Sequence, residues 1–194
     1  MNLSRNNIAG ILLLAVILGW GSVAVAQDLR YQYKLLATTK TSTMEKELNQ
    51  AAESGFVFSA TMGGETAFGG NEAVVLMVRS DEKARRRYKL LATNKTSTMQ
   101  KEMRAAGDEG FRYCGQTVFN STFGGKEVAV ILELNMDEPA KRYEYQLLAT
   151  SKTSTMQKEL NEAGAEGYLL QGVTVAKTAF GGAELVGILS RIVE

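Results

Sequence analysis

Beyond residue 30, three kinds of hydrophobic pattern follow one another along the chain. Tyr33 to Thr38 is a short run rich in leucine and aromatic residues, which predicts a strand. Met44, Leu48, Ala51 and Ala52 then fall at helical spacing, one apolar stripe about three turns long. A second strand is predicted from Phe56 towards Met62, and a third over Ala73 to Val78. The third is almost continuously apolar, as expected of a strand buried on both faces. The unit therefore reads β-α-β-β.

The same unit returns twice. Leu35 to Thr38 recurs as Leu90 to Thr93 and Leu147 to Thr150. Lys40 to Met44 recurs as Lys95 to Met99 and Lys152 to Met156. A Phe-Gly-Gly triplet begins at Phe68, Phe123 and Phe180, and successive copies are offset by 55 and then 57 residues. Self-similarity this regular marks tandem copies of one supersecondary unit. The predicted repeats cover 31–80, 86–135 and 143–194, joined by charged linkers.

Local signals refine each copy. Ser42 is expected to open the first helix, with Glu45 three residues later completing a capping box. Ser97 with Gln100 and Ser154 with Gln157 repeat it. Gly55, Gly110 and Gly167 are expected to end the helices as left-handed caps, each followed by an aromatic that folds back on the last turn. A helix that returns the chain makes strands one and two parallel. The apolar third strand then lies antiparallel between them. One sheet face takes the helix, and the other is expected to keep Leu36, Leu91 and Leu148.

The predicted fold class is thus α+β: three tandem β-α-β-β repeats, mainly antiparallel sheets with helices on the outer face. A unit of roughly 55 residues buries little core alone. Pseudo-threefold packing would cover the second sheet face, as a barrel-like closure of nine strands or a trefoil of sheets. In a beads-on-a-string arrangement, that face would need a partner from another molecule. Oligomerisation is therefore one expectation.

Residues 1–26 carry a different pattern. Arg5 gives a positive start, Ile8 to Leu18 an apolar stretch, and Ala24-Val25-Ala26 a small-x-small cleavage site. This predicts a signal peptide, with Gln27 as the first mature residue and a periplasmic or extracellular destination. The apolar stretch is short of the roughly 20 residues of a membrane span. The mature chain is not expected to be an integral membrane protein; a retained anchor is the other reading.

Composition then removes chemistry. The 194 residues hold 22 basic and 21 acidic side chains, no histidine and one cysteine. Loss of Arg5 with the signal leaves the mature chain neutral, which argues against a nucleic-acid partner. Histidine triads and histidine metal sites are excluded. One cysteine, Cys114, makes neither an internal disulfide nor a thiolate zinc cage. A core or half-buried thiol is expected there, because its repeat equivalents are Ser59 and Gln171. No metal, cofactor or catalytic residue is expected.

The strand Tyr143 to Leu148, the helix end Glu159 to Ala163 and the exit Glu166-Gly167-Tyr168 resemble small bacterial β-α-β-β domains of unknown function. The order of elements is also similar to dodecin, a flavin-storing oligomer. The tryptophan with which dodecins stack flavin has no counterpart in the mature chain, since Trp20 leaves with the signal. Exported enterobacterial proteins with tandem α/β repeats offer a similar architecture. These resemblances imply a fold and transfer no catalytic residue.

The segments that repeat identically are predicted to share one end of each unit. Lys40, Ser42 and Thr43, with Lys95, Ser97 and Thr98 and with Lys152, Ser154 and Thr155, could hold an anion at a helix N-terminus. They could equally serve as caps and turn bonds. Glu72, Glu127 and Glu184 recur near the same end and are candidate partners for the lysines. Phe68, Phe123 and Phe180 are either recognition aromatics or, as expected from their large apolar area, plugs at the sheet end. The expected function is a non-catalytic exported module that contacts a protein or cell-envelope component. Small-anion binding through the lysine-hydroxyl loops is the alternative.

Overall fold

The computed structural model describes residues 31–66, 70–80, 84–121, 125–139, 141–177 and 183–193. The predicted signal peptide and Phe68, Phe123 and Phe180 lie outside them. Unit 1 is β1 (Tyr33–Thr38), α1 (Thr41–Glu53), β2 (Phe56–Thr66) and β3 (Gly70–Arg79). Unit 2 is β4 (Arg86–Thr93), α2 (Thr96–Asp108), β5 (Arg112–Ser121) and β6 (Gly125–Asn135). Unit 3 is β7 (Arg142–Thr150), α3 (Thr153–Ala165), β8 (Leu169–Lys177) and β9 (Ala183–Val193). The chain is α+β, with the β-α-β-β order in every copy.

Each unit forms its own three-stranded sheet, ordered β1-β3-β2, β4-β6-β5 and β7-β9-β8. The last strand is central and antiparallel to both neighbours, so the first two run parallel. β1 ends at the pair Thr38↔Ala73, whereas the β2–β3 ribbon continues to Thr66↔Gly70. Units 2 and 3 overhang in the same way, to Ser121↔Gly125 and Lys177↔Ala183. Each second strand also carries a register shift that skips Ser59, Cys114 or Gln171. The lone cysteine is therefore a bulge residue, outside the regular ladder.

The helix exits follow the glycine rule. Gly55, Gly110 and Gly167 have φ of 83°, 93° and 85°, a region that only a residue without Cβ enters freely. Phe111 N–H bonds Ala106 O and Tyr168 N–H bonds Ala163 O, both at 3.0 Å, closing Schellman-type ends. The entries differ from expectation. Each helix starts one residue before the predicted serine. Lys40, Lys95 and Lys152 occupy the N-cap, and no side chain caps it.

Core packing reverses one assignment. Leu36 clusters with Met44, Leu48, Ala51, Val75 and Met77, so it lies on the helix side of sheet 1. Leu91 and Leu148 likewise pack with their own helices. The Leu35-Leu36 pair places one apolar residue on each face, so alternation alone does not phase the strand. The opposite face carries Tyr33 and Leu35.

The same clusters show how the units meet. The core beneath α1 continues into Tyr88, Ala129 and Ile131 of unit 2. Those residues lie on the face of sheet 2 turned away from α2. The core beneath α2 continues in the same way into Tyr145, Val186 and Ile188 of unit 3. The bare faces of sheets 2 and 3 are thus each covered by the preceding unit. α1 packs on β4 and α2 on β7, whereas α3 and β1 form no such junction among the described residues. The sheets stay separate instead of merging into a nine-stranded barrel. The repeat is threefold in sequence and serial in space, as in other repeat stacks.

Candidate functional site

The expected loops have one geometry in all three copies. Lys40, Lys95 and Lys152 are exposed at the N-cap. Their backbone N–H groups donate to the hydroxyls of Thr38, Thr93 and Thr150 at 3.1–3.2 Å. Ser42, Ser97 and Ser154 are exposed in the first turn, and Thr43, Thr98 and Thr155 are half-buried. Because the first two strands run parallel, these loops and the second-strand exits share one end of each sheet. Glu72, Glu127 and Glu184 sit on the overhanging ribbon, opposite Gly64, Phe119 and Ala176.

The residues assigned to capping boxes do something else. Glu45 accepts the N–H of Leu90 at 2.9 Å, across the junction between units 1 and 2. Asn49 completes the contact, accepting Tyr88 N–H at 2.9 Å and donating to Tyr88 O at 3.0 Å. Gln100 repeats it between units 2 and 3, donating to Tyr145 O and accepting Leu147 N–H, both at 2.7 Å. A first strand is a sheet edge, and its outward backbone groups need partners when covered. The preceding helix supplies them from its side chains. Among the described residues no further strand meets the equivalent residues of α3, and Gln157 donates to Asn161 at 3.1 Å instead.

Each junction also seats a tyrosine. Tyr88 is 1% exposed and donates to Glu133 at 2.7 Å. Its oxygen accepts Phe58 N–H at 2.8 Å. Tyr145 is 0% exposed and donates to Phe111 O at 2.9 Å. Burial raises both phenol pKa values well above the ordinary range. Glycines admit the close approach. A Cβ on Gly107 would strike Tyr143 O, and one on Gly115 would come within 2.8 Å of Phe58.

Glu133 is the most buried charge among the described residues that make ion pairs. Arg86 and Arg112 approach it at 2.6 and 2.5 Å, and Tyr88 adds a hydrogen bond. Burial opposes the charge, but the bonds from Arg112 and Tyr88 and the two guanidinium charges outweigh it. The carboxyl is held below the usual carboxylate range. The bulged Cys114 thiol lies half-buried nearby and is pushed up to about 12, by burial first and by the Glu133 charge second. It is a protonated, weak nucleophile at neutral pH. A groove of about 580 Å³ runs along the first junction, lined by Glu45, Asn49, Tyr88 and Arg85 among others.

Among the described residues, the two ends of the stack have no such partners. On sheet 1, Tyr33, Leu35 and Met62 are 63%, 63% and 62% exposed, on the face that units 2 and 3 bury. At the other end, Leu170, Val173 and Val175 of β8 are exposed, on the face that units 1 and 2 bury against the next sheet. Exposed apolar residues grouped on one face commonly mark an interaction site. Repeat position alone pairs Tyr33 with Tyr88 and Tyr145, and this is the sequence signal that periodicity arguments pass over. Comparison with protein-family models, curated proteins and solved structures finds no match. The likeness to small bacterial domains therefore stands on its short motifs alone, and that to dodecin on the order of elements alone.

Proposed function

We propose that the chain is an exported bacterial protein without catalytic activity that works by binding through the two apolar ends of its stack. The observation that carries this reading is the exposure of Tyr33 and Leu35 where their equivalents are core. The signal-like residues 1–26 support export, and the occupant of the ends is then a protein or cell-envelope component. A photo-reactive amino acid at Leu35, activated in intact cells, tests the reading. A covalent adduct to a macromolecule in a fraction where the chain begins at Gln27 is the expected result. No adduct of any kind, or a chain confined to the cytosol, would overturn it. An alternative use of the loops, binding of small anions, is favoured by the three exposed N-cap lysines. It predicts a phosphate-dependent rise in melting temperature that is lost when Lys40, Lys95 and Lys152 are all changed to alanine.

A further inference from the structure

The two ends of the stack are complementary to each other, and we infer that their occupant is a second copy of this chain, joined head to tail. The inference rests on the end-binding reading above. It follows from the two junctions already present inside the molecule. In each, one unit presents a helix and the helix-side face of its second strand. The next unit presents the outer edge of its first strand and its bare sheet face.

Unit 3 presents the first of these surfaces in full. Gln157 stands at the position of Glu45 and Gln100, and Asn161 at that of Asn49. Both are exposed amides that can donate and accept. Gly164 stands at the position of Gly107, where the next strand approaches most closely. A Cβ on Gly164 would meet nothing within 4 Å. Leu170 and Val173 stand where Phe58 and Thr61 pack on Gly115, and where Tyr113 and Gln116 pack on Gly172. Here both are exposed.

Unit 1 presents the second surface. β1 pairs with β3 on one side and forms the outer edge of sheet 1. Its pairing Leu35↔Leu76 has the register of Leu90↔Ile131, so the Leu35 N–H points outward as the Leu90 N–H does. Tyr33 and Leu35 supply the side chains that Tyr88 and Leu90, or Tyr145 and Leu147, supply within the chain. A second copy placed by the internal operation brings Tyr33 against Met156, Leu160 and Gly164 of the first. Its phenol then lies near the carbonyl of Tyr168, the counterpart of the Phe111–Tyr145 bond. Its Tyr33 and Leu35 backbone receives Asn161 and Gln157. The contact is heterologous, so it propagates into a ring or a filament. Repeat stacks that stay single carry polar terminal faces, whereas Tyr33 and Leu35 at one end and Leu170 and Val173 at the other are exposed apolar side chains.

Sedimentation of the purified full chain across the micromolar range tests the inference, with two single-end variants. Tyr33→Asp blocks the head, and Gly164→Trp blocks the tail. Both positions are exposed, so each variant is expected to keep the circular dichroism and melting behaviour of the parent. The parent is expected to grow in mass with concentration. Each variant alone should stay monomeric, weakened by at least about 30-fold as expected at a hot spot. An equimolar mixture should form dimers and stop there, because each partner has one live end. A parent that stays monomeric throughout, or a mixture that does not dimerise, would overturn the inference. The photo-adduct at Leu35 separates the two levels of the reading. A mass of twice the chain supports self-association. An adduct to a different macromolecule, or to residues 1–30 of the same chain, overturns self-association, and the different macromolecule alone leaves end binding standing. Absence of any intermolecular adduct removes both.

Discussion

Tyr33 and Tyr88 occupy the same place in two copies of one unit and have opposite fates. Tyr88 lies in a core, bonded to Glu133, with its backbone held by Asn49. Tyr33 is 63% exposed. The strand, the register and the residue are alike. What differs is whether another described unit packs against the strand. Most of what buries a first strand here comes from its neighbour, so the stability of the stack is concentrated at its junctions.

The comparison is tested most severely by truncating the tyrosines in turn. Tyr88→Ala should cost about 3–5 kcal/mol, the range for a large aromatic removed from a core. Tyr33→Ala at high dilution should cost less than about 0.5 kcal/mol. Chemical denaturation measures both, and equal costs would break the comparison. Next in size is Glu133→Gln, which removes the buried carboxylate that Arg86, Arg112 and Tyr88 share and should cost about 3 kcal/mol at neutral pH. Because the folded carboxyl is depressed, its stabilisation is fully present above the ordinary glutamate value of about 4.3. It is lost as pH falls through the lower folded value. The acid limb of the stability–pH curve should therefore be flatter in the variant.

The glycines give a smaller and opposite pair. Gly107→Ala pushes a methyl into β7 and should destabilise by about 1–3 kcal/mol. Gly164→Ala meets open space in a dilute chain and should stabilise by about 0.5 kcal/mol through helix propensity. The amides give a last pair, whose larger member stays below that of the glycines. Asn49→Ala removes both bonds to Tyr88 and should cost about 1–2 kcal/mol. Asn161→Ala should be nearly neutral until copies associate. Thermal melts at low concentration read all four.

How far the sequence alone reaches can be judged from the same residues. Element order, central third strand and glycine helix exits follow from period and turn chemistry, which act over a few residues. The helix starts do not, because Ser42 and Glu45 satisfy a local rule while Glu45 bonds Leu90, 45 residues away. The phase of the first strand is hidden by the Leu35-Leu36 pair. At the candidate site, the exposed lysine-hydroxyl loops are where their repetition places them. The junction chemistry of Asn49, Gln100, Tyr88 and Glu133 was not legible, since each contact joins two units. Repeat position carries the missing information: a tyrosine kept at three equivalent points asks what covers the first.

Amide exchange at three backbone positions tests the central claim most directly. Leu90 and Leu147 N–H are held by Glu45 and Gln100 of the preceding helix, and no preceding helix among the described residues reaches Leu35 N–H. Leu90 and Leu147 should be protected at every concentration. Leu35 should exchange fast in dilute protein and slow as concentration rises. Strong protection of Leu35 at high dilution, or exchange of Leu90 as fast as that of Leu35, would contradict the serial stack with open ends.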